Sequence, residues 1–221
     1  MARISSSTLF NFTNTLEHLQ DNLKNGIYCH PTYEKLPIRN CGYVVHMACF
    51  CDIPLSLISE HFQWYGRFGL GLKRTYARKV GVTPIWYVTS ESNLVKKLST
   101  NELEDYEVSH LLPYLKQFMG SQELNGEIKR KKFYDEREWR YIPSKSLAVP
   151  YINKAPPKVR ATSKKLRMPI DPEQIEYIIL DKVADVKLIL PFLKRLSTKH
   201  NVEYESLVSK IMTSGQIERD F

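Results

Sequence analysis

The chain has few glycines, few cysteines, a deficit of acidic residues and no long apolar run. Nine glycines are scattered through 221 residues. No Gly-rich phosphate loop follows the first predicted strand, which argues against a doubly wound dinucleotide-binding sheet. The G-x-S-x-G, H-E-x-x-H and P-loop signatures are also missing. The apolar runs, such as Tyr177–Leu180 and Leu188–Leu190, fall far short of the roughly 20 residues a membrane span needs. The opening MARISSSTLF lacks an apolar core of signal-peptide length. A cytoplasmic protein without a membrane segment is therefore expected.

The four cysteines, Cys29, Cys41, Cys49 and Cys51, have the spacing C-x11-C-x7-C-x-C. That is not a usual zinc pattern, and buried reduced thiols are the expected state. No paired acidic cluster with metal-ligand spacing is visible, so no metal site is expected and a two-metal nuclease is disfavoured. The acid deficit, 24 Asp and Glu against 32 Lys and Arg, leaves a net charge of +8 and a pI near 9.2. The excess is concentrated at Lys129, Arg130, Lys131 and Lys132, and between Tyr151 and Ile170, where Lys154, Lys158, Arg160, Lys164, Lys165 and Arg167 occur with no acid. Such patches attract phosphate backbones. Nucleic acid, RNA or DNA, is accordingly an expected partner through Lys129–Lys132, Lys158, Arg160, Lys164 and Lys165.

Apolar periodicity predicts one mixed α+β domain over residues 1–221. It opens with a strand over Thr8–Thr13 and a helix carrying Leu16, Leu19 and Leu23, capped by Asn14 or Thr15 and stopped by Asn25-Gly26. A loop is expected from Tyr28 to Gly42. A buried strand over Val44–Cys51, a helix opened by Pro54 and ended by Gly66, and a strand over Phe68–Leu72 follow. Beyond them come a short basic helix at Lys73–Val80, a strand at Pro84–Val88, and a largely helical Asn93–Phe118. Asp135–Pro143 reads as a strand, 144–171 as a basic, proline-containing arm, Ile175–Leu180 as a strand and Val183–Lys199 as a helix kinked at Pro191. Val202–Ile211 fits either a strand or a helix.

Reactive side chains gather at the seams of these elements. Glu138, between Arg137 and Arg140 beside Trp139, is either the partner of a buried arginine or a catalytic carboxylate aligned by a cation and an aromatic wall. Glu136 and Asp135 are expected to be solvated. His61 and Tyr65, four apart, share a helix face, and the Gly66-x-x-Gly69 bend could let backbone approach a ligand. Asp52 follows a buried strand and either caps the next helix or lines the mouth of a site. Asn11, Phe12 and Thr13 lie on the first strand.

The blocks CFCDIPLS (Cys49–Ser56), H-x-x-x-Y-G-x-x-G-x-G-L (His61–Leu72), E-W-R (Glu138–Arg140) and FNFTNTLEHLQDNLKNG (Phe10–Gly26) resemble the AbiGi-type abortive phage-resistance family. That family belongs to bacterial phage defence and carries an antitoxin label. The layout is also distantly similar to ADP-ribosyltransferases. That similarity implies NAD as substrate and Glu138 stabilising an oxocarbenium-like ribose while holding a ribose hydroxyl. It further implies Tyr65 or Phe50 stacking on nicotinamide, and His61 or Arg140 holding phosphate or ribose. Asn11 or Thr13 would stand where that family has a first-strand His or Arg, with Asp52 at the pocket mouth. Two expectations follow: an NAD-dependent toxin that modifies nucleic acid, or a non-enzymatic antitoxin or sensor that binds a partner toxin or nucleic acid.

Overall fold

The computed structural model describes residues 5–37, 41–97, 106–144, 146, 148–152, 155–158 and 166–220. Helices and strands are mixed along the chain, as expected for the α+β class. The chain clusters into two compact units that interleave in sequence. One comprises Met1–Ile27, Phe50–Gly81 and Pro169–Phe221, and the other Tyr28–Cys49 and Val82–Met168. No helix among the described residues is long and apolar enough to cross a membrane.

The first unit is built on a sheet ordered Ile211–Thr213, Ile175–Leu180, Phe68–Lys73, Thr8–Thr13. Ile211–Thr213 runs parallel to Ile175–Leu180, and the other neighbours are antiparallel. Phe10 pairs with Gly71 and Phe12 with Gly69 across two strands. Each glycine leaves room for the ring opposite it. A Cβ on Gly69 would meet the Phe12 ring at 2.6 Å. The rings of Phe10, Phe12 and Phe62 continue into one apolar cluster with Cys51, Ile53, Ile58, Ile179 and Ile217. The glycines of F-G-L-G-L thus admit the protein's own aromatic rings.

Helix Leu16–Asn25 forms where predicted. Thr15 caps it, its hydroxyl accepting from the His18 N–H at 3.2 Å. Gly26 stops it with φ +88°. The helix expected from Pro54 starts later: Leu55–Leu57 is one 3-10 turn and the α-helix is Ser59–Tyr65, ended by Gly66 at φ +99°. Val183–His200 runs through Pro191 without a break in the helix. Pro191 lies on the exposed side, so the carbonyl whose N–H donor it removes faces water rather than core. Val202–Ile211 resolves into both alternatives, a helix at Tyr204–Val208 and a strand at Ile211–Thr213.

In the second unit the strand Cys41–Cys51, which contributes Cys41–Cys49 here, pairs antiparallel with His30–Lys35 and with Val149–Ile152. The Tyr28–Gly42 loop is therefore partly strand, and so is the arm expected at 144–171, which also includes Arg167–Met168. Glu138–Tyr141 lies between Cys41–Cys51 and Thr83–Pro84, while Trp86–Val88 runs parallel to Leu115–Gln117. Among the described residues of Asn93–Phe118, Asn93–Lys97 and Tyr106–Leu111 are helical, as expected, but Leu115–Gln117 is a strand; residues 98–105 lie outside the described residues. Met119–Leu124 and Glu127–Lys132 form a hairpin, turned by Asn125 and Gly126 at φ +54° and +82°. Asn-Gly suits that turn because both central residues need positive φ. Tyr43, Val45, Met47, Val88, Leu112 and Leu115 form the unit's apolar core.

Candidate functional site

Successive residues of a strand point to opposite faces, so Glu138 and Arg140 share one face and Trp139 and Tyr141 the other. In Glu138–Tyr141 the first pair is buried and the second half-exposed. Arg140 has no solvent exposure at all. Its Nε donates to Glu138 Oε1 at 2.6 Å, its Nη2 to Glu34 Oε1 at 2.8 Å, and its Nη1 to Tyr43 Oη and the Pro113 carbonyl at 2.7 and 2.6 Å. The Tyr43 hydroxyl in turn donates to the Leu115 carbonyl at 2.7 Å. The Glu138 N–H donates to Tyr87 Oη at 2.8 Å.

The chain of ions continues on the other side. Lys116 Nζ lies 2.6 Å from Glu138 Oε2 and 2.7 Å from Glu136 Oε2, and Lys131 Nζ lies 2.7 Å from Glu136 Oε1. Both ammonium groups also sit over the Phe133 ring, at 4.7 and 6.0 Å from its centroid. The result is an alternating ladder, Glu34–Arg140–Glu138–Lys116–Glu136–Lys131. Three carboxylates face three cations, so the buried ladder as a whole carries little net charge.

The protonation states follow from this packing. Burial pushes the Glu138 carboxyl up, but Arg140 and Lys116 together hold it well below the usual carboxylate range. Burial likewise raises Glu136, and Lys116 and Lys131 outweigh it. For Glu34 the balance is reversed: burial lifts its carboxyl above the usual range despite Arg140 and Lys116. Burial also keeps the Cys49 thiol protonated, helped by its hydrogen bond to Glu138. Glu138 is thus an ionised carboxylate with both oxygens engaged and two cations against it. In this arrangement both of its oxygens accept from cations, so it holds Arg140 and Lys116 in place.

The structure distributes the other sequence candidates as follows. Glu138 and Arg140 belong to the second unit, whereas Asn11, Thr13, Phe50, Asp52, His61 and Tyr65 belong to the first. The rings of His61 and Tyr65 do lie together, 5.8 Å apart. Asn11 Oδ1 is 3.5 Å from Asn22 Nδ2, Thr13 pairs with Phe68 across the sheet, and Phe50 is buried. Asp52 does not cap the helix. Its carboxylate accepts from Ser5 Oγ and the Ser6 N–H, both at 2.8 Å, and from Arg74 Nη1 at 3.2 Å, which ties down the segment before the first strand.

Among the basic candidates, Lys131 is drawn into the ladder, Lys132 pairs with Asp135 at 3.0 Å and Lys129 with Glu127 at 3.6 Å, while Arg130 and Lys158 are exposed. Arg160, Lys164 and Lys165 lie outside the described residues. Asp135 is exposed as expected, but Glu136 is buried because the 3-10 turn Phe133–Glu136 delivers it to Lys116. Sequence reasoning passed over Glu34, Tyr43, Tyr87 and Lys116. Their one local signal is a polar group at an inward position of a strand, as in Lys116 beside Leu115. Among the described residues, no three His, Cys, Asp or Glu side chains are placed to hold a metal ion.

The site therefore defines an α+β protein organised around a closed, buried ion-pair ladder. The chain belongs to the AbiGi family: the family model described as "Putative abortive phage resistance protein AbiGi, antitoxin" matches residues 39–181, a span that includes Tyr43, Lys116, Glu136, Glu138 and Arg140. A curated relative from Lactococcus lactis subsp. cremoris, "Abortive phage resistance protein AbiGi", is 25% identical over 88% of this chain and 95% of its own length. No solved structure matches the chain.

Proposed function

We propose that this chain is the non-catalytic member of a phage-defence pair, an antitoxin that restrains a cognate toxin protein by direct binding. The observation that carries this reading is the closure of Glu138. Both its oxygens are bonded to buried cations, so the carboxylate with the strongest claim to catalysis is spent on holding the second unit together. The antitoxin description of the family supports the same conclusion. The test is titration of the purified chain with its purified toxin, alongside incubation of the chain alone with NAD. The reading expects a stable complex and no nicotinamide release above buffer. Nicotinamide release that Glu138→Gln abolishes in a folded protein would overturn it.

One observation favours a second reading, NAD-dependent ADP-ribosyl transfer to nucleic acid. Perturbed titratable groups cluster at active sites, and Glu34, Cys49, Tyr87, Glu136, Glu138 and Arg140 are all perturbed. Under this reading Glu138 is freed from Lys116 when NAD binds. Arg140 would hold the dinucleotide beside Glu138, and Lys129–Lys132 the acceptor strand.

A further inference from the structure

The helix Val183–His200 begins just beyond the segment the family model matches, residues 39–181. Its inner side, Asp185, Ile189, Leu193 and Leu196, is buried. Its outer side has an unusual make-up. Val183 is 73% exposed and Leu188 61%. At 100° per residue, Ala184, Leu188, Pro191 and Arg195 form one stripe along the outside. Lys187 and Lys194 border it on one edge and Lys199 on the other, and all four cations are exposed. Asp185 is the helix's one acid, and it is turned back to accept from the Lys182 N–H at 3.1 Å. The outer face is therefore an apolar stripe, Ala184, Leu188 and Pro191, bordered by Lys187, Lys194 and Lys199 and ended by Arg195.

Resting on the antitoxin reading, we infer that this face is the surface that grips the toxin, and that the toxin presents to it an acidic, amphipathic segment. Charge decides the sign of the partner, since four exposed cations without a neighbouring acid on the helix favour carboxylates and speed encounter. The apolar centre decides its class. A phosphate backbone makes no use of Ala184, Leu188 and Pro191, whereas a protein helix or strand with acids flanking an apolar row covers all three. The helix spans about 27 Å, enough for several turns of a partner helix.

The experiment titrates the full-length chain with the purified toxin of its own locus, and separately with a short DNA duplex and an RNA of the same sequence. The variants are Leu188→Glu, the triple Lys187→Glu/Lys194→Glu/Arg195→Glu, and Arg130→Glu on the Met119–Lys132 hairpin of the other unit as control. All change exposed residues, and thermal melting checks that each folds; Leu188→Ser replaces any Leu188→Glu protein that does not. The inference expects toxin binding to weaken about tenfold or more in Leu188→Glu and in the triple variant, with added salt weakening wild type but not the triple variant, and no change in Arg130→Glu. Wild-type toxin binding that both helix variants retain within about twofold would overturn the inference and leave the antitoxin reading standing. No toxin binding by wild type would bring down both. Loss of duplex or RNA binding in the triple variant, with Leu188→Glu unaffected on every probe, would assign the face to nucleic acid and overturn the inference.

Discussion

Glu138 and Arg140, two residues apart on one strand, meet side chain to side chain at 2.6 Å with the arginine wholly buried. Neither charge could be buried alone without a large desolvation cost, and together they still need Lys116, Glu34 and Tyr43 to satisfy their remaining atoms. Removing one member leaves its neighbours charged and unpaired. Arg140→Met should therefore cost about 3–5 kcal/mol in chemical denaturation, while Arg137→Met, outside the ladder, should stay within about 0.5 kcal/mol.

The ladder also sets the acid sensitivity of the protein. Glu138 and Glu136 have carboxyl groups held below their unfolded range. Their stabilisation is complete above about pH 4.3, the ordinary Glu value, and is lost as pH falls further. Glu34 is shifted the other way. Its contribution is complete below that pH and is lost as pH rises through its raised folded value. Glu34→Gln should therefore be relatively more stable against wild type at pH 7 than at pH 4, and Glu138→Gln relatively less. Urea denaturation at the two pH values measures both, and parallel curves for the two variants would contradict the assigned shifts.

How much of this was legible beforehand depended on whether the signal was local. The FGLGL strand, the Leu16–Asn25 helix and the Glu138/Arg140 face follow from alternation, capping and period, which a single segment carries. The strand His30–Lys35 was not visible because HPTYEK contains a proline and polar residues. Its strand character comes from pairing with Cys41–Cys51. The Asn125-Gly126 hairpin had a recognisable turn, but EIKRKK reads as a charge run until Lys131 is seen to reach Glu136. Glu34 and Arg140 are 106 positions apart, and no spacing rule connects them.

The phenylalanine-over-glycine arrangement in the first unit gives a packing test. Gly69→Ala places a Cβ against the Phe12 ring and should destabilise the protein by about 1–3 kcal/mol. Phe12→Leu alone should cost stability as well, and the double variant should be more stable than the sum of the two losses predicts. Additive losses in a thermal-denaturation cycle would mean that the ring does not fill the glycine's space.

The cap on the first helix is a smaller, separate contribution. Thr15→Ala removes the acceptor for the His18 N–H and should cost about 1 kcal/mol, with Thr15→Ser close to wild type. Equal losses from both would show that the methyl group rather than the hydroxyl matters there.

The central claim is that Glu138 is a structural ion and that the chain works by holding a partner. The most direct test is growth of a bacterial host after inducing the chain alone, wild type beside Glu138→Gln, and again together with the toxin of its locus. The account predicts normal growth with the chain alone in either form, and rescue from the toxin by wild type. Arrest by wild type alone, abolished by a folded Glu138→Gln protein and accompanied by loss of NAD, would contradict it and make Glu138 a catalytic residue.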